Sequence, residues 1–334
     1  MNTNMRVAIV HNAVTKHSAP DELDVLDQAE AVATALQELA HKTSLHACDL
    51  DLGILKHALI NESPDIIFNL VESLESDGRL IHLAPAMFDT LGIPYTGSPS
   101  ESLLLTSHKL IAKRIMTAAG LPTPTWYNLN SASSSERDQP HLLRGKVILK
   151  SLWEHASLGM SDNAVREISN VAELDTLLTE WAPKLGGACF AEQYIEGREF
   201  NISLLGAEDG PQLLPPAEIR FPDYPPGKPK IVGYDAKWHE DAFEYTGTPR
   251  SYDFERSDEP LLEKLAALSM QCWRIFGLRG YARVDFRVDS EGAPWILEVN
   301  ANPCLSPDAG FAAACEQADI SYRDMIQRIL YLAG

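Results

Sequence analysis

Apolar positions in this chain alternate between short β-branched runs and longer stretches where they recur every three or four residues. Residues 6–11 (RVAIVH) form a run that predicts a buried strand. Ser18, with Asp21 three residues on and Pro20 between them, resembles a helix start. It leads into residues 23–40, where Leu26, Ala29, Ala33, Leu36 and Leu39 fall at helical spacing. A second strand is predicted at 64–70 (PDIIFNL), a helix at 80–91 with a kink at Pro85, and a short strand at 92–95. Strand, helix, strand, helix, strand over the first hundred or so residues predicts an α/β unit with an open, largely parallel sheet of Rossmann-like topology. G-x-G-x-x-G is absent, so no dinucleotide site is predicted.

A basic helix is expected from Thr106 to a cap at Gly120, and residues 131–140 (SASSSERDQP) read as a surface loop. Strands follow at 146–150 (KVILK) and 188–195 (ACFAEQYI), with a helix at 171–181 between them. Residues 200–205 are expected to pair back on the 188–195 strand. A loop at 234–254, an amphipathic helix at 261–276 and a final helix at 321–332 complete the pattern, and no internal repeat is evident. Before that final helix, RVDFRV (283–288) and PWILEV (294–299) flank Gly292 and predict an antiparallel hairpin. Alternation places Arg283 and Asp285 on one face of the first strand, and Glu298 and Asn300 on one face of the second. Three oxygen ligands beside a guanidinium suit Mg²⁺ and nucleotide phosphates, because hard cations prefer carboxylate and amide oxygens. The competing reading is a solvated face with a salt bridge. It is the better one for an isolated D-x-R pair, but these runs are too apolar for an ordinary wet face.

The formal charge is −19, from 28 Lys and Arg against 47 Asp and Glu, which argues against nucleic acid or an anionic membrane as partner. Five scattered cysteines without C-x-x-C spacing, no membrane-length apolar run and no leader-like N-terminus predict a soluble protein with reduced thiols, located in the cytoplasm. In so acidic a chain, lysines at strand and loop edges stand out. Lys109, Lys150 and Lys237 are candidates for phosphate contacts. Lys150 ends a β-branched strand, and the loop after it holds Ser157, Gly159 and Ser161, whose backbone N–H groups suit phosphate oxygens. The 191–195 stretch (AEQYI) offers a carboxylate and strand backbone groups to a ribose or purine.

K-x-x-x-K (Lys109, Lys113), VILK, the E-x-x-S-x-G-M-S loop at 154–161, AEQYIEGREF, YDAKW, GYARVDF and LEVNANP occur in this order along the chain. So ordered and spaced, they resemble the ATP-grasp enzymes, specifically the D-alanine–D-alanine ligase group. FNLVESLESDGRLIHLAPAMFDTLGIPYTGS resembles that group's N-terminal domain, so the similarity covers essentially the whole chain. The resemblance implies an ATP-grasp α/β fold with an N-terminal Rossmann-like domain (1–105), a central subdomain (106–195) and a C-terminal subdomain (196–334). ATP would lie between the last two. Two Mg²⁺ ions, or Mn²⁺, would sit on Asp285, Glu298 and Asn300. Lys109, Lys150 and Ser157 would contact phosphates, Glu192, Tyr194, Ile195 and Glu199 the ribose and adenine, and Lys237 the γ-phosphate. The implied reaction converts a carboxylate to an acyl phosphate, which an amine attacks, with Arg283 and Lys237 as catalytic residues and ADP and phosphate as products. A homodimer is the assembly the resemblance suggests.

Departures gather in the amino-acid pocket. Glu72 stands where the ligases have a histidine, Ala156 and Ala309 where they have serines, Trp238 where they have a tyrosine, and Cys304 where they have a glycine. Glu22 is the nearest counterpart of their early glutamate. Glu22, Glu72, Trp238 and Cys304 are therefore the substrate-binding candidates, with Glu75, Asp77, His155 and His239 nearby. The expectation is a carboxylate–amine ligase for small amino-acid or dipeptide-like substrates other than two D-alanines. D-alanine–D-alanine ligase itself, an acyl-phosphate-forming kinase without an amine acceptor, and a non-catalytic ATP-binding protein are the alternatives.

Overall fold

Three sheets organise the computed structural model of the chain, which describes residues 4–129, 145–153, 159–239 and 241–333. The first is parallel, with β1 (Arg6–Asn12) between β2 (Lys42–Cys48) and β3 (Ile66–Leu70). Helices α1 (Pro20–Glu38), α2 (Leu52–Glu62) and α3 (Leu83–Leu91) accompany it. The parallel sheet agrees with the sequence reading, but its membership differs. β2 and α2 escape the pattern because KTSLHAC is an edge strand whose positions are exposed or half-exposed up to Cys48, with no clean alternation. Residues 92–95 form no strand and touch the sheet through one bridge, Ile67 to Tyr95. Pro85 kinks nothing: it occupies the first turn of α3, where its missing N–H has no intrahelical partner to lose. The N-cap of α1 is Ala19 rather than Ser18.

The expected basic helix is α5 (Lys109–Ala118), which starts three residues later than Thr106, and Thr106 and Ser107 end a separate helix, α4 (Ser100–Ser107), broken from it at His108. The His108 ring accepts a hydrogen bond from the Ile111 N–H (3.2 Å), so a side chain caps α5 where the backbone leaves helical geometry. A four-stranded sheet follows in the order β4-β7-β5-β6, from β4 (Trp126–Tyr127), β5 (Gly145–Ser151), β6 (Val165–Ile168) and β7 (Cys189–Gln193), with α6 (Val171–Trp181) packed on it. The 131–140 loop lies outside the described residues.

β8 (Arg198–Leu205) does not pair back on β7. It enters the third sheet, where it lies antiparallel to β10 and β12. Gly197 makes the crossing possible, with φ at +151° and so little room that a Cβ there would meet the Val288 carbonyl oxygen at 2.0 Å. This sheet runs β11-β10-β8-β12-β13, with β9 (Gln212–Leu213) on β8. Its other strands are β10 (Ala217–Ile219), β11 (Arg250–Ser251), β12 (Tyr281–Val288) and β13 (Pro294–Asn300). The 234–254 loop contains two single-turn helices, α7 (Asp235–Trp238) and α8 (Phe243–Thr246). Helix α9 (Glu259–Ile275) covers the sheet, and α10 (Gly310–Glu316) and α11 (Tyr322–Tyr331) end the chain.

Two buried cores fasten these layers together. Val7, Ile9, Val32 and Leu36 of the first sheet and α1 pack with Tyr281, Phe311, Met325 and Ile329. Ala112 and Met116 of α5 pack with Phe200, Ile202, Val284 and Phe286 of the third sheet. Each burial removes apolar side chains from water at about 25 cal/mol per Å². All five cysteines are free thiols. Among the described residues, no helix is long and apolar enough to cross a membrane.

Candidate functional site

The β12–β13 hairpin pairs Arg283 with Asn300, Val284 with Val299 and Asp285 with Glu298. Val284 and Val299 point into the core, which turns the four polar side chains to the opposite face. Arg283 donates from Nε and Nη2 to the two oxygens of Asp285, at 2.7 and 2.9 Å. Asn201, opposite Asp285 on β8, and Asn300 each donate to one of the same oxygens, at 2.8 and 3.1 Å. Asp285 is only 7% exposed, so the solvated-face reading is excluded. Glu298 pairs with Lys109 Nζ at 3.2 Å.

This donor set fits a divalent cation that shares its shell with phosphates. Two carboxylates and an amide are hard oxygen ligands, and Mg²⁺ is usually held by one or two carboxylates plus substrate phosphates. Among the described residues no group of three His, Cys, Asp or Glu side chains could hold a metal by itself. With all its hydrogen-bond positions occupied, Asp285 has a guanidinium and two amides for the partners that a cation would replace.

Lys109 and Lys113 lie four residues apart on α5, hence on one face. The first reaches Glu298 of the third sheet, and the second reaches Glu192 of the four-stranded sheet at 2.7 Å. One helical turn thereby ties two sheets. Lys150 also pairs with Glu192, because β5–β7 register sets Ile148 opposite Glu192 and leaves Lys150 diagonal to it on the same face. Lys113 and Glu192 are each 1% exposed. Burial alone would raise the Glu192 pKa, but the ammonium groups of Lys113 and Lys150 outweigh it and hold the carboxyl below its usual range. Burial lowers the Lys113 pKa despite Glu192. Glu192 was expected beside a ribose or adenine. Its side chain lines the cavity as the shared counter-ion of two lysines.

Glu199 pairs with Arg287 Nε at 3.3 Å, and burial raises its pKa. The Arg287 guanidinium lies 5.7 Å from the ring centres of Tyr194 and Phe221. Lys237, on α7, has its pKa lowered by burial and then by Arg283, against the pull of Glu298 and Asp285. Lys109, Lys150, Glu192, Tyr194, Ile195, Glu199, Lys237, Arg283, Asp285, Glu298 and Asn300 all line one cavity of about 570 Å³.

Glu72, Trp238 and Cys304 line the same cavity, joined by Asp24. Glu22 does not: it accepts a hydrogen bond from the Ala19 N–H (3.1 Å), using its carboxylate to close the start of α1. Asp24, two residues on, accepts from Cys304 Sγ and Ser306 Oγ, each at 3.1 Å. Gln28 donates to Glu72 at 3.1 Å and accepts from the Leu305 N–H at 2.8 Å, linking α1, the end of β3 and the segment after β13. Burial, countered only partly by Gln28, pushes Glu72 up to about 7. Burial followed by Glu72 and Asp24 raises the Cys304 thiol well above its ordinary value, so the thiol stays protonated. Glu75, Asp77 and His239 do not line the cavity; Asp77 pairs with Arg79 and His239 with Asp235. Ser157 and His155 lie outside the described residues.

Sequence reasoning missed Asp24 and Gln28. Gln28 had a signal: it falls on the apolar stripe formed by Val25, Ala29 and Val32, where a polar residue needs a buried partner. Tyr234, at the start of the 234–254 loop, donates its hydroxyl to Asp21 of α1 at 2.8 Å, while Tyr245 and Thr248 line the cavity.

Residues 115–331 match the family described as D-ala D-ala ligase C-terminus. A D-alanine–D-alanine ligase of Methylococcus capsulatus is 30% identical over 299 residues, covering 89% of this chain and 88% of the relative. An uncharacterised protein of Sinorhizobium fredii is also 30% identical, over 312 residues, covering 91% of this chain and 87% of its own. The D-alanine–D-alanine ligase of Bacillus anthracis, solved in complex with ATP, superposes with a TM-score of 0.73 over 98% of this chain and 97% of that one, at 20% identity. The superposition supports the fold alone, the ATP-grasp fold, while the sequence matches fix the lineage. This chain belongs to the D-alanine–D-alanine ligase family.

Proposed function

We propose that the chain joins a carboxylate to an amine at the expense of ATP, through an acyl phosphate, with ADP and phosphate as products. The observation that carries this is one cavity lined together by Lys109, Lys150, Lys237 and Arg283, by Asp285, Glu298 and Asn300, and by Asp24 and Glu72. Within this reading ATP lies between the four-stranded and six-stranded sheets, and the division 1–105, 106–195 and 196–334 places one sheet in each part.

In the first step a substrate carboxylate oxygen attacks the γ-phosphorus, the bond from that phosphorus to its bridging oxygen breaks, and ADP leaves. Lys150 and Lys237 neutralise the charge on the transferring group. Asp285, Glu298 and Asn300 would hold Mg²⁺, whose chemistry is to offset phosphate charge and orient the triphosphate. In the second step the amine adds to the acyl carbon, and Arg283 stabilises the resulting oxyanion. The carbon–oxygen bond to phosphate then breaks and the nitrogen releases a proton. No side-chain nucleophile takes part, in keeping with the protonated Cys304.

Glu72 and Asp24 are placed to receive a substrate ammonium, a cation that would offset the cost of ionising Glu72 in a buried site. Glu72, Cys304 and Ala309 support substrates other than two D-alanines. The family's named relatives favour D-alanine–D-alanine ligation itself as the second reading. Measuring ADP release with amino acids, singly and in pairs, separates the two. Release with a pair other than two D-alanines is the expected result. Release with D-alanine alone supports the second reading, release with single carboxylates and no second substrate indicates a kinase, and no release under any condition overturns the enzyme reading.

A further inference from the structure

His108 ends α4 and begins α5, with extended backbone angles of φ −80° and ψ 94°. It does not line the cavity, although Ser107 and Lys109 on either side of it do. Its Nδ1 accepts from the Ile111 N–H at 3.2 Å, which requires that nitrogen to be unprotonated, and burial lowers the pKa of the ring. The same ring meets Trp153, with centres 4.2 Å apart and planes at 67°. Lys109 repeats the connection through the backbone, its N–H donating to the Leu152 carbonyl oxygen at 3.1 Å. The Leu152 N–H donates to the Ala188 carbonyl oxygen at 2.9 Å, which carries the β5–β7 pairing past Ser151 and Cys189. The start of α5 is thus joined to the two residues that follow β5, and Lys150 lies just before them. From this one joint Lys109 reaches Glu298 of the third sheet and Lys150 reaches Glu192 of the four-stranded sheet. Without the Nδ1 acceptor the Ile111 N–H loses its partner, and the first turn of α5, with Lys109 at its head, is free to fray.

We propose that His108 is a positioning residue for the nucleotide phosphates: by capping α5 against the end of β5, it holds Lys109 at the spacing from Lys150 that lets both lysines meet ATP. It touches neither ATP nor the amino-acid substrates and acts through Lys109. In the wild type the lysine is in place before the nucleotide arrives. Without the cap, binding has to re-form the first helical turn, and the cost appears as lost affinity. This proposal rests on the ligase reading for the place of ATP.

The test measures the affinity of the full chain for ATP with Mg²⁺ by calorimetry, so it does not depend on finding a carboxylate–amine pair. His108→Phe keeps an aromatic ring for Trp153 and has no acceptor, whereas His108→Asn supplies a capping oxygen and no ring. His108→Phe is expected to raise the Kd for ATP about 5- to 30-fold, the equivalent of losing a helix N-cap. His108→Ala, which adds no bulk, is expected to match it, and His108→Asn to stay within about twofold of wild type. In a Lys109→Met background, His108→Phe is expected to weaken binding by about twofold at most, because no ammonium is left to place. Tm is recorded for each variant, since a purely structural role would lower Tm and leave the affinity of the folded protein unchanged. An unchanged Kd in His108→Phe and His108→Ala overturns the proposal and leaves the ligase reading standing. So does equal weakening in His108→Asn and His108→Phe, or the same fold-loss from His108→Phe with and without Lys109. ATP binding without ADP release from any carboxylate–amine pair overturns the ligase reading alone, and absence of ATP binding by the wild type overturns both.

Discussion

Arg283 and Asp285, two residues apart on β12, are joined side by side through two hydrogen bonds of 2.7 and 2.9 Å. The guanidinium holds the carboxylate that the proposed reaction assigns to the cation, and the same arginine is assigned to the oxyanion. Arg283→Ala is expected to lower ligation by about 10²- to 10³-fold, as loss of an oxyanion donor does. ATP affinity measured by calorimetry with Mg²⁺ present is expected to remain within a few-fold of wild type. A loss of nucleotide affinity as large as the loss of turnover would show that the arginine serves binding.

Glu192 answers to two buried lysines, and its removal would leave two ammonium groups without their shared counter-ion. Glu192→Ala is expected to cost about 3–5 kcal/mol of folding stability without nucleotide, the usual result of breaking a buried ion pair. Denaturant unfolding measures this. Wild-type stability combined with weakened ATP binding would mean that Glu192 serves the nucleotide and not the fold.

The raised pKa of Glu72 links stability to pH. Its folded value is about 7 against an ordinary 4.5, so between those values the folded state keeps a proton that the unfolded state has lost. Stability contributed by this group falls as pH rises through that window, and the full penalty is present above it. Glu72→Gln removes the ionisation. Its Tm relative to wild type, both without substrate, is expected to be more favourable at pH 8 than at pH 5, and an equal difference at both would contradict the buried charge.

Tyr234 hydrogen-bonds Asp21 across the start of the 234–254 loop, whose later residues line the cavity. Such a bond contributes about 0.5–1.5 kcal/mol. Tyr234→Phe is therefore expected to speed proteolysis of the loop in the ligand-free protein by about 2- to 12-fold. Cleavage at the wild-type rate would mean that the contact does not hold the loop.

The hairpin was legible in the sequence because alternation and one glycine fix both its pairing and its faces, and Arg283, Asp285, Glu298 and Asn300 meet as the alternation requires. Partner choice between strands was not legible. Nothing in the apolar run of β8 says that Gly197 turns it away from β7. The polar pattern of β2 concealed an edge strand, and the sequence reading selects Glu22 where the cavity takes Asp24, because Cys304 and Ser306 reach Asp24 only when the chain returns some 280 residues later. Glu192 was visible as a carboxylate on a strand. Its role depends on which face of β7 it takes and on Lys113 arriving from another element, neither of which a local pattern contains.

The central claim, that the carboxylate is activated as an acyl phosphate, is tested most directly by oxygen transfer. With a carboxylate substrate labelled with ¹⁸O in both oxygens, each phosphate released during ligation is predicted to carry one labelled oxygen, detected by mass spectrometry. Unlabelled phosphate released alongside the amide product would contradict the account.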